Sequence, residues 1–205
     1  MRSVRALGIF VVALAFAACS QNLVQVRESS AGAGESLALK RVAVAPFRAV
    51  PRAGAEELRT DATSLVASYM AEGLSARGLY VVPASDVGQA LGDGELDLRS
   101  ALTVAANQFG ADALVTGTLY KFRDRSGEAM GTLDPASVGF DVRIYAAPGG
   151  KLLWAGTFDH TQVALGENAL TATQYPGGGT RWMTSEELAR FGAMQVTKQI
   201  PLQAE

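Results

Sequence analysis

Two periodicities run along this chain, and they change over at glycines and prolines. From Ser137 onward, Val138, Phe140, Val142 and Ile144 alternate with Gly139, Asp141, Arg143 and Tyr145. A period of two, with one apolar and one partly polar side, predicts an antiparallel strand with one covered face. "PGG" (148–150) predicts a tight turn and "KLLWAGTFDHTQ" (151–162) the return strand. "ADALVTGTLYKFRDR" (111–125) alternates from Leu114, so the three strands form a meander. "KRVAVAPF" (40–47) differs, because Val42 and Val44 alternate with Ala43 and Ala45 and none is polar. That predicts a strand covered on both faces, ending at Pro46, which cannot donate to a ladder. "LYVVP" (79–83) predicts one more short strand.

The other segments follow the helical period. Leu58, Ala62, Leu65, Val66, Tyr69, Met70 and Leu74 recur at three and four, predicting a helix over about 53–76 that stops at Gly78. A brief helix is expected at 84–91, opened by Ser85 or Asp86. Another is expected at 97–109, with Leu98, Leu102, Ala105 and Phe109 inward. In "MTSEELARFGAMQVTKQI", Thr184 and Glu187 match a capping box and Met183 with Leu188 a hydrophobic staple, so a last helix covers 184–200. "GDGELD", "RSGEAMGTLDPA" and 163–181 follow neither period and read as loops. The sum is an α/β (α+β) domain: a mixed sheet of about five strands, with a meander and hairpin in its C-terminal half, packed by two to four helices.

Composition narrows the function. At 205 residues and 48% hydrophobic, the chain can bury the core of one domain. A net charge of −2 without a long basic run argues against nucleic acid as a partner. One cysteine and one histidine cannot make an internal disulfide, a Cys-rich metal centre or a His-based one. Nothing implies a metal or a cofactor.

The N-terminus has its own logic. "MRSVR" carries Arg2 and Arg5, and residues 6–18, "ALGIFVVALAFAA", carry no charge. An apolar run of that length is too short to span a bilayer and suits a signal-peptide core. Its end, "FAAC", resembles the bacterial lipobox. The resemblance implies cleavage before Cys19, attachment of diacylglycerol to its sulfur (usually with N-acylation by a fatty acid such as palmitate), and an N-terminus held in a membrane by several acyl chains. Ser20 in the following position favours the outer membrane by the same resemblance. Removing residues 1–18 takes away two arginines and no acid, so the mature charge becomes −4 and the lipid is the expected membrane contact. The organisation expected is a lipoprotein signal peptide at 1–18, the lipidated Cys19 with a flexible Ser/Gly/Ala/Gln-rich tether to 39, and one periplasmic domain from 40 to 205.

"RVAVAPF", "GADALVTGTLYKF" and "FDVRIYAAPGGKLLWAG" form a distinctive set. Together they resemble the periplasmic α/β lipoprotein domain of the curli-secretion-channel family, the penicillin-binding-protein-activator lipoproteins and the TolB-N-terminal-like domains. Trp154 stands at the tryptophan position of the shared hairpin, and the match covers about 40–160. It implies a fold and a non-enzymatic envelope role in assembly, secretion or cell-wall synthesis, with a protein partner. A secretion-channel subunit would need long amphipathic hairpins, with strands of about 9–11 alternating residues used in pairs, and no spare segment here has them.

Candidate chemistry is sparse. His160 lies near Asp159 and Glu167, which an envelope hydrolase could use, but a lone histidine at a strand end is more often ordinary surface. "GDGELD" spaces Asp93, Glu95 and Asp97 faintly like a calcium loop and lacks the later glycine and glutamate. "PGGGT" (176–180) lacks the lysine of a phosphate loop. No catalytic motif for a serine or zinc hydrolase occurs, so no catalytic residue is expected. "QYPGGGTRW" places Tyr175, Arg181 and Trp182 round a glycine-rich loop, and these residue types dominate protein interfaces. They are the candidate partner-binding residues.

Overall fold

The alternating run after Ala113 becomes the longest strand, and the other elements arrange themselves around it. The structure, a computed structural model, describes residues 22–32, 35–51, 57–92, 97–164, 166–167 and 169–203. Cys19, the 1–18 segment, Asp93 and Glu95 lie outside the described residues. In chain order the elements are β1 (Val24–Ser29), β2 (Arg41–Val44), β3 (Arg48–Ala49), α1 (Ala62–Ser75), β4 (Tyr80–Val82), α2 (Ala84–Leu91) and α3 (Leu98–Asn107). There follow β5 (Ala113–Arg123), β6 (Ser126–Glu128), β7 (Gly131–Asp134), β8 (Ser137–Ala146), β9 (Leu152–Thr161), the one-turn α4 (Ala169–Ala172) and α5 (Ser185–Gln199).

The main sheet is mixed, in the order β1-β9-β8-β5-β2-β4, with β3 also paired to β5. β2 runs parallel to β4 and β5, while β5, β8 and β9 form the antiparallel meander. The α/β class and the C-terminal meander therefore stand as read, with seven strands in the sheet. β2 is covered on both faces. Val42 and Val44 join the larger core under α1 and α5, and Ala43 and Ala45 join a smaller one under α2 and α3.

Pro46 splits what would be one strand into β2 and β3. Ala45 still donates to the Val115 carbonyl, and Arg48 and Ala49 then resume pairing with Thr118 and Leu119. Phe47, in the gap, folds its ring onto Gly117, where a Cβ would lie 2.1 Å from the ring. The glycine of "VTGTL" is thus required by a neighbour's ring rather than by its own backbone.

Three expectations are corrected. Residues 19–39 do not form a flexible tether throughout, because Val24–Ser29 is an edge strand antiparallel to β9 and Leu37 bridges to Leu202. Only Val24 of β1 is buried, so the strand is held by backbone pairing more than by an apolar stripe, and its period is weak. The loop after Arg125 contains a second, two-stranded sheet, β6–β7. α1 begins at Ala62 rather than near 53, after a turn in which the Asp61 carboxylate binds Arg59 at 2.5 Å. The capping box of α5 forms as expected, Glu187 N–H donating to Thr184 Oγ1 and Thr184 N–H to the Glu187 carboxylate.

Candidate functional site

The segment from the end of β9 to the start of α5 lies along one side of the meander, and two buried side chains hold it there. Gln162 is 2% exposed and follows the last residue of β9. Its Nε2 donates to the Arg181 carbonyl at 2.9 Å, and its Oε1 accepts from the Met183 N–H at 2.7 Å. One amide thereby stands in for a strand partner to residues 181–183. Tyr175 is the second anchor. It is 3% exposed, its hydroxyl accepts from the Val163 N–H at 3.2 Å, and it pairs with His160 Nε2.

Between the anchors, Gly177, Gly178 and Gly179 all have φ near +70°, a run that side-chain-bearing residues rarely adopt. A Cβ at Gly179 would lie 2.6 Å from the Ala172 carbonyl oxygen. The triple glycine is therefore a tight chain reversal, and the Gly178 N–H is spent on the Tyr175 carbonyl.

The three interface candidates separate. Tyr175 faces inward, edge-on to the Phe191 ring and tilted against His160, which in turn is tilted against Phe158. It supports the surface from beneath. Arg181 is exposed and forms a two-pronged pair with Glu187, at 2.7 and 2.8 Å. That hydrogen-bonded guanidinium holds the Glu187 carboxyl below its usual range, against partial burial. Trp182 is half-buried, and its N–H donates to the Ala129 carbonyl at 2.9 Å.

That last bond ties the loop to the β6–β7 hairpin. On the hairpin Met130 is 82% and Leu133 86% exposed, the most exposed of the large apolar residues described. Met130, Val163, Arg181 and Trp182 border a recess of about 350 Å³ at the hairpin's foot. On the other side of Arg181 lies a larger groove of about 500 Å³, along the outer stripe of α5. Tyr175, Met183, Phe191 and Met194 make its apolar floor, and Arg181, Arg190 and Lys198 stand on its rim. The sequence reading missed Met130, Leu133, Arg190 and Lys198. The available signal was two isolated large apolar residues in a stretch otherwise polar or glycine-rich.

The hydrolase candidates are not brought together. His160 packs between Phe158 and Tyr175, and Glu167 closes its own turn by accepting from the Ala164 N–H at 3.4 Å. Asp159 pairs with Lys121. Burial, reinforced by the Lys121 charge and opposed by Asp159, lowers the His160 pKa from 6.5. The pair between His160 Nε2 and the Tyr175 hydroxyl lies among these rings, and protonation would place a charge on an imidazole that burial already disfavours charging. Because the folded pKa is the lower one, the unfolded chain binds more protons at acidic pH. Stability therefore falls as the pH drops below about 6.5 and stops falling from this source below the folded pKa. Urea titrations between pH 7.5 and 5 should show that loss in the wild type and a smaller one in His160→Gln; equal losses would remove the assignment. Among the described residues no group of three His, Cys, Asp or Glu side chains could hold a metal.

No family model matches the chain, and no curated protein does. Solved structures do match. The PelC dodecamer from Paraburkholderia phytofirmans superposes with a TM-score of 0.53 at 17% identity, over 88% of this chain and 99% of that one. This chain has the PelC fold. A single-substitution PelC dodecamer from the same organism gives 0.52 at 18% identity, over 88% and 98%. The LpoB C-terminal domain from Escherichia coli aligns over 62% of this chain and 86% of its own, at 15% identity and a TM-score of 0.41. The PelC match shows the fold alone, and over 88% of the chain it reaches well beyond the stretch from "RVAVAPF" through "KLLWAG" that carried the sequence resemblance.

Proposed function

We propose that the protein is a lipoprotein of the outer membrane, anchored through Cys19 with its domain in the periplasm, and that it works by protein–protein association in envelope assembly or secretion rather than by catalysis. The observation that carries this reading is the β6–β7 hairpin, which holds Met130 and Leu133 in solvent while pinned to the Trp182 backbone. Large apolar side chains presented together beside a recess are the mark of a docking surface. Further support comes from the PelC structure, which is a dodecamer with the same fold. Copies of this chain are therefore its first partners.

The position of β1 sharpens the anchoring. Only residues 20–23 separate Cys19 from Val24, so the lipid lies within about 17 Å of extended chain from the sheet's edge. The domain is held close to the bilayer rather than on a long leash. The test is one extraction. Protein taken from membranes in mild detergent should run as an assembly of several copies, carry palmitate label on Cys19, and remain an unprocessed, unlabelled precursor when Cys19→Ala is introduced. A monomer that crosslinks to nothing in intact cells would overturn the association, and normal processing of Cys19→Ala would overturn the anchor.

A further inference from the structure

The hairpin and the α5 groove are complementary to each other. Between Ser126 and Asp134 the only charged side chains are Glu128 and Asp134, and they flank the exposed Met130 and Leu133. The hairpin is thus an apolar knob with an acidic edge. It is also braced. The Thr132 hydroxyl bonds to the Ser126 and Asp134 carbonyls, at 2.6 and 2.8 Å, and Trp182 holds Ala129 from below.

The groove has the opposite character. Its floor is apolar, and its rim sets Arg181, Arg190 and Lys198 against the single carboxylate of Glu187. Arg181 is bound to Glu187 and Arg190 to Glu72, while Lys198 has no ion pair among the described residues. The volume of about 500 Å³ lies within the range of about 300–1,000 Å³ that binding sites span. Arg181 borders both the groove and the recess at the hairpin's foot, so knob and groove share one face of the molecule.

From this we infer that the occupant of the α5 groove is the β6–β7 hairpin of a second copy of the chain. A knob and a groove side by side on one face are self-complementary under a two-fold rotation. Each copy then inserts its Met130 and Leu133 into the partner's groove, and Glu128 and Asp134 meet the basic rim. The pairing rests on the association proposed above and names the surface that makes it. Because the hairpin is already braced, little ordering opposes docking.

The design of the contact gives a test that misfolding cannot imitate. In full-length protein in mild detergent, Glu128→Lys with Asp134→Lys makes both knob and groove basic, and Arg190→Glu with Lys198→Glu makes both acidic. Each variant alone should lose the two-fold pairing, and an equimolar mixture should regain it as a one-to-one complex by native mass spectrometry. Met130→Asp with Leu133→Asp should weaken pairing at least about 30-fold, the size expected for a buried anchor. Wild-type assembly with both charge variants unaffected, or variants that fail to recombine, would remove the groove as the hairpin's seat and leave the association standing. A wild-type monomer whose hairpin crosslinks to a different envelope protein would overturn the second copy as occupant. A monomer without any partner would overturn this inference and the proposed function together.

Discussion

Phe158→Ala lowers the unfolding free energy by about 3–5 kcal/mol, the range for removing a buried aromatic ring that its surroundings cannot close over. Phe158 is fully buried at the middle of β9. It is paired in register with Val24 of β1 on one side and Phe140 of β8 on the other. Its ring lies 5.5 Å from that of Phe140 and 6.0 Å from that of His160. Above it α5 comes down on Gly192, where a Cβ would lie 2.5 Å from the Phe158 ring. The site cannot collapse, because β1, β8 and α5 are each fixed by contacts elsewhere. With folded domains stable by about 5–15 kcal/mol, such a loss brings the protein near its threshold. Urea unfolding followed by tryptophan fluorescence should show the midpoint falling at an unchanged slope. A loss below about 1 kcal/mol would mean that the ring is not the junction described.

Gln162→Leu should have the next largest effect, and its consequence reaches the docking surface. Leucine keeps much of the bulk and removes both hydrogen bonds. The buried Met183 N–H and the Arg181 carbonyl are then orphaned, at about 1–3 kcal/mol for each group that water cannot reach. The displaced segment carries Trp182, whose backbone braces the hairpin through Ala129. Self-association should therefore fall along with stability, although Gln162 is itself buried and contributes no area to the hairpin or the α5 groove. Gln162→Met, unbranched and close to glutamine in volume, removes the same two bonds with less repacking, so a loss shared by both variants belongs to the hydrogen bonds. Native mass spectrometry of both variants beside their urea curves is the check. If Gln162→Leu unfolds earlier but assembles as well as the wild type, the brace does not run through residues 181–183.

The parts of the molecule that were legible in the sequence share a physical feature. Their signals lie within one element. The alternation in 137–146 places Val138, Phe140, Val142 and Ile144 in the core because a strand's side chains alternate whatever lies beyond it. The all-apolar "VAVA" is covered on both faces because nothing in it tolerates water. Thr184 and Glu187 satisfy each other within one turn of helix. β1 escaped notice because a single buried residue, Val24, leaves almost no pattern, and the strand exists through pairing with residues about 130 positions away. The β6–β7 hairpin escaped because its strands of three and four residues are too short to show a period.

The candidate site divides along the same line. The sequence alone determined the signal-like N-terminus with its lone cysteine, the α/β class, the meander, and the presence of interface-type residues near 175–182. Only the tertiary structure decided which of those face outward. Tyr175 turned in to meet His160, Arg181 turned onto Glu187, and Trp182 was joined to Ala129. It also brought the acidic hairpin and the basic flank of α5 onto one face, although they lie some fifty to seventy residues apart in the chain. Local periodicity fixes which side of an element is apolar, because that depends only on backbone geometry. It cannot fix which loops meet, because a chain reversal such as Gly177–Gly179 sets its direction through the contacts that close it, and those belong to other elements.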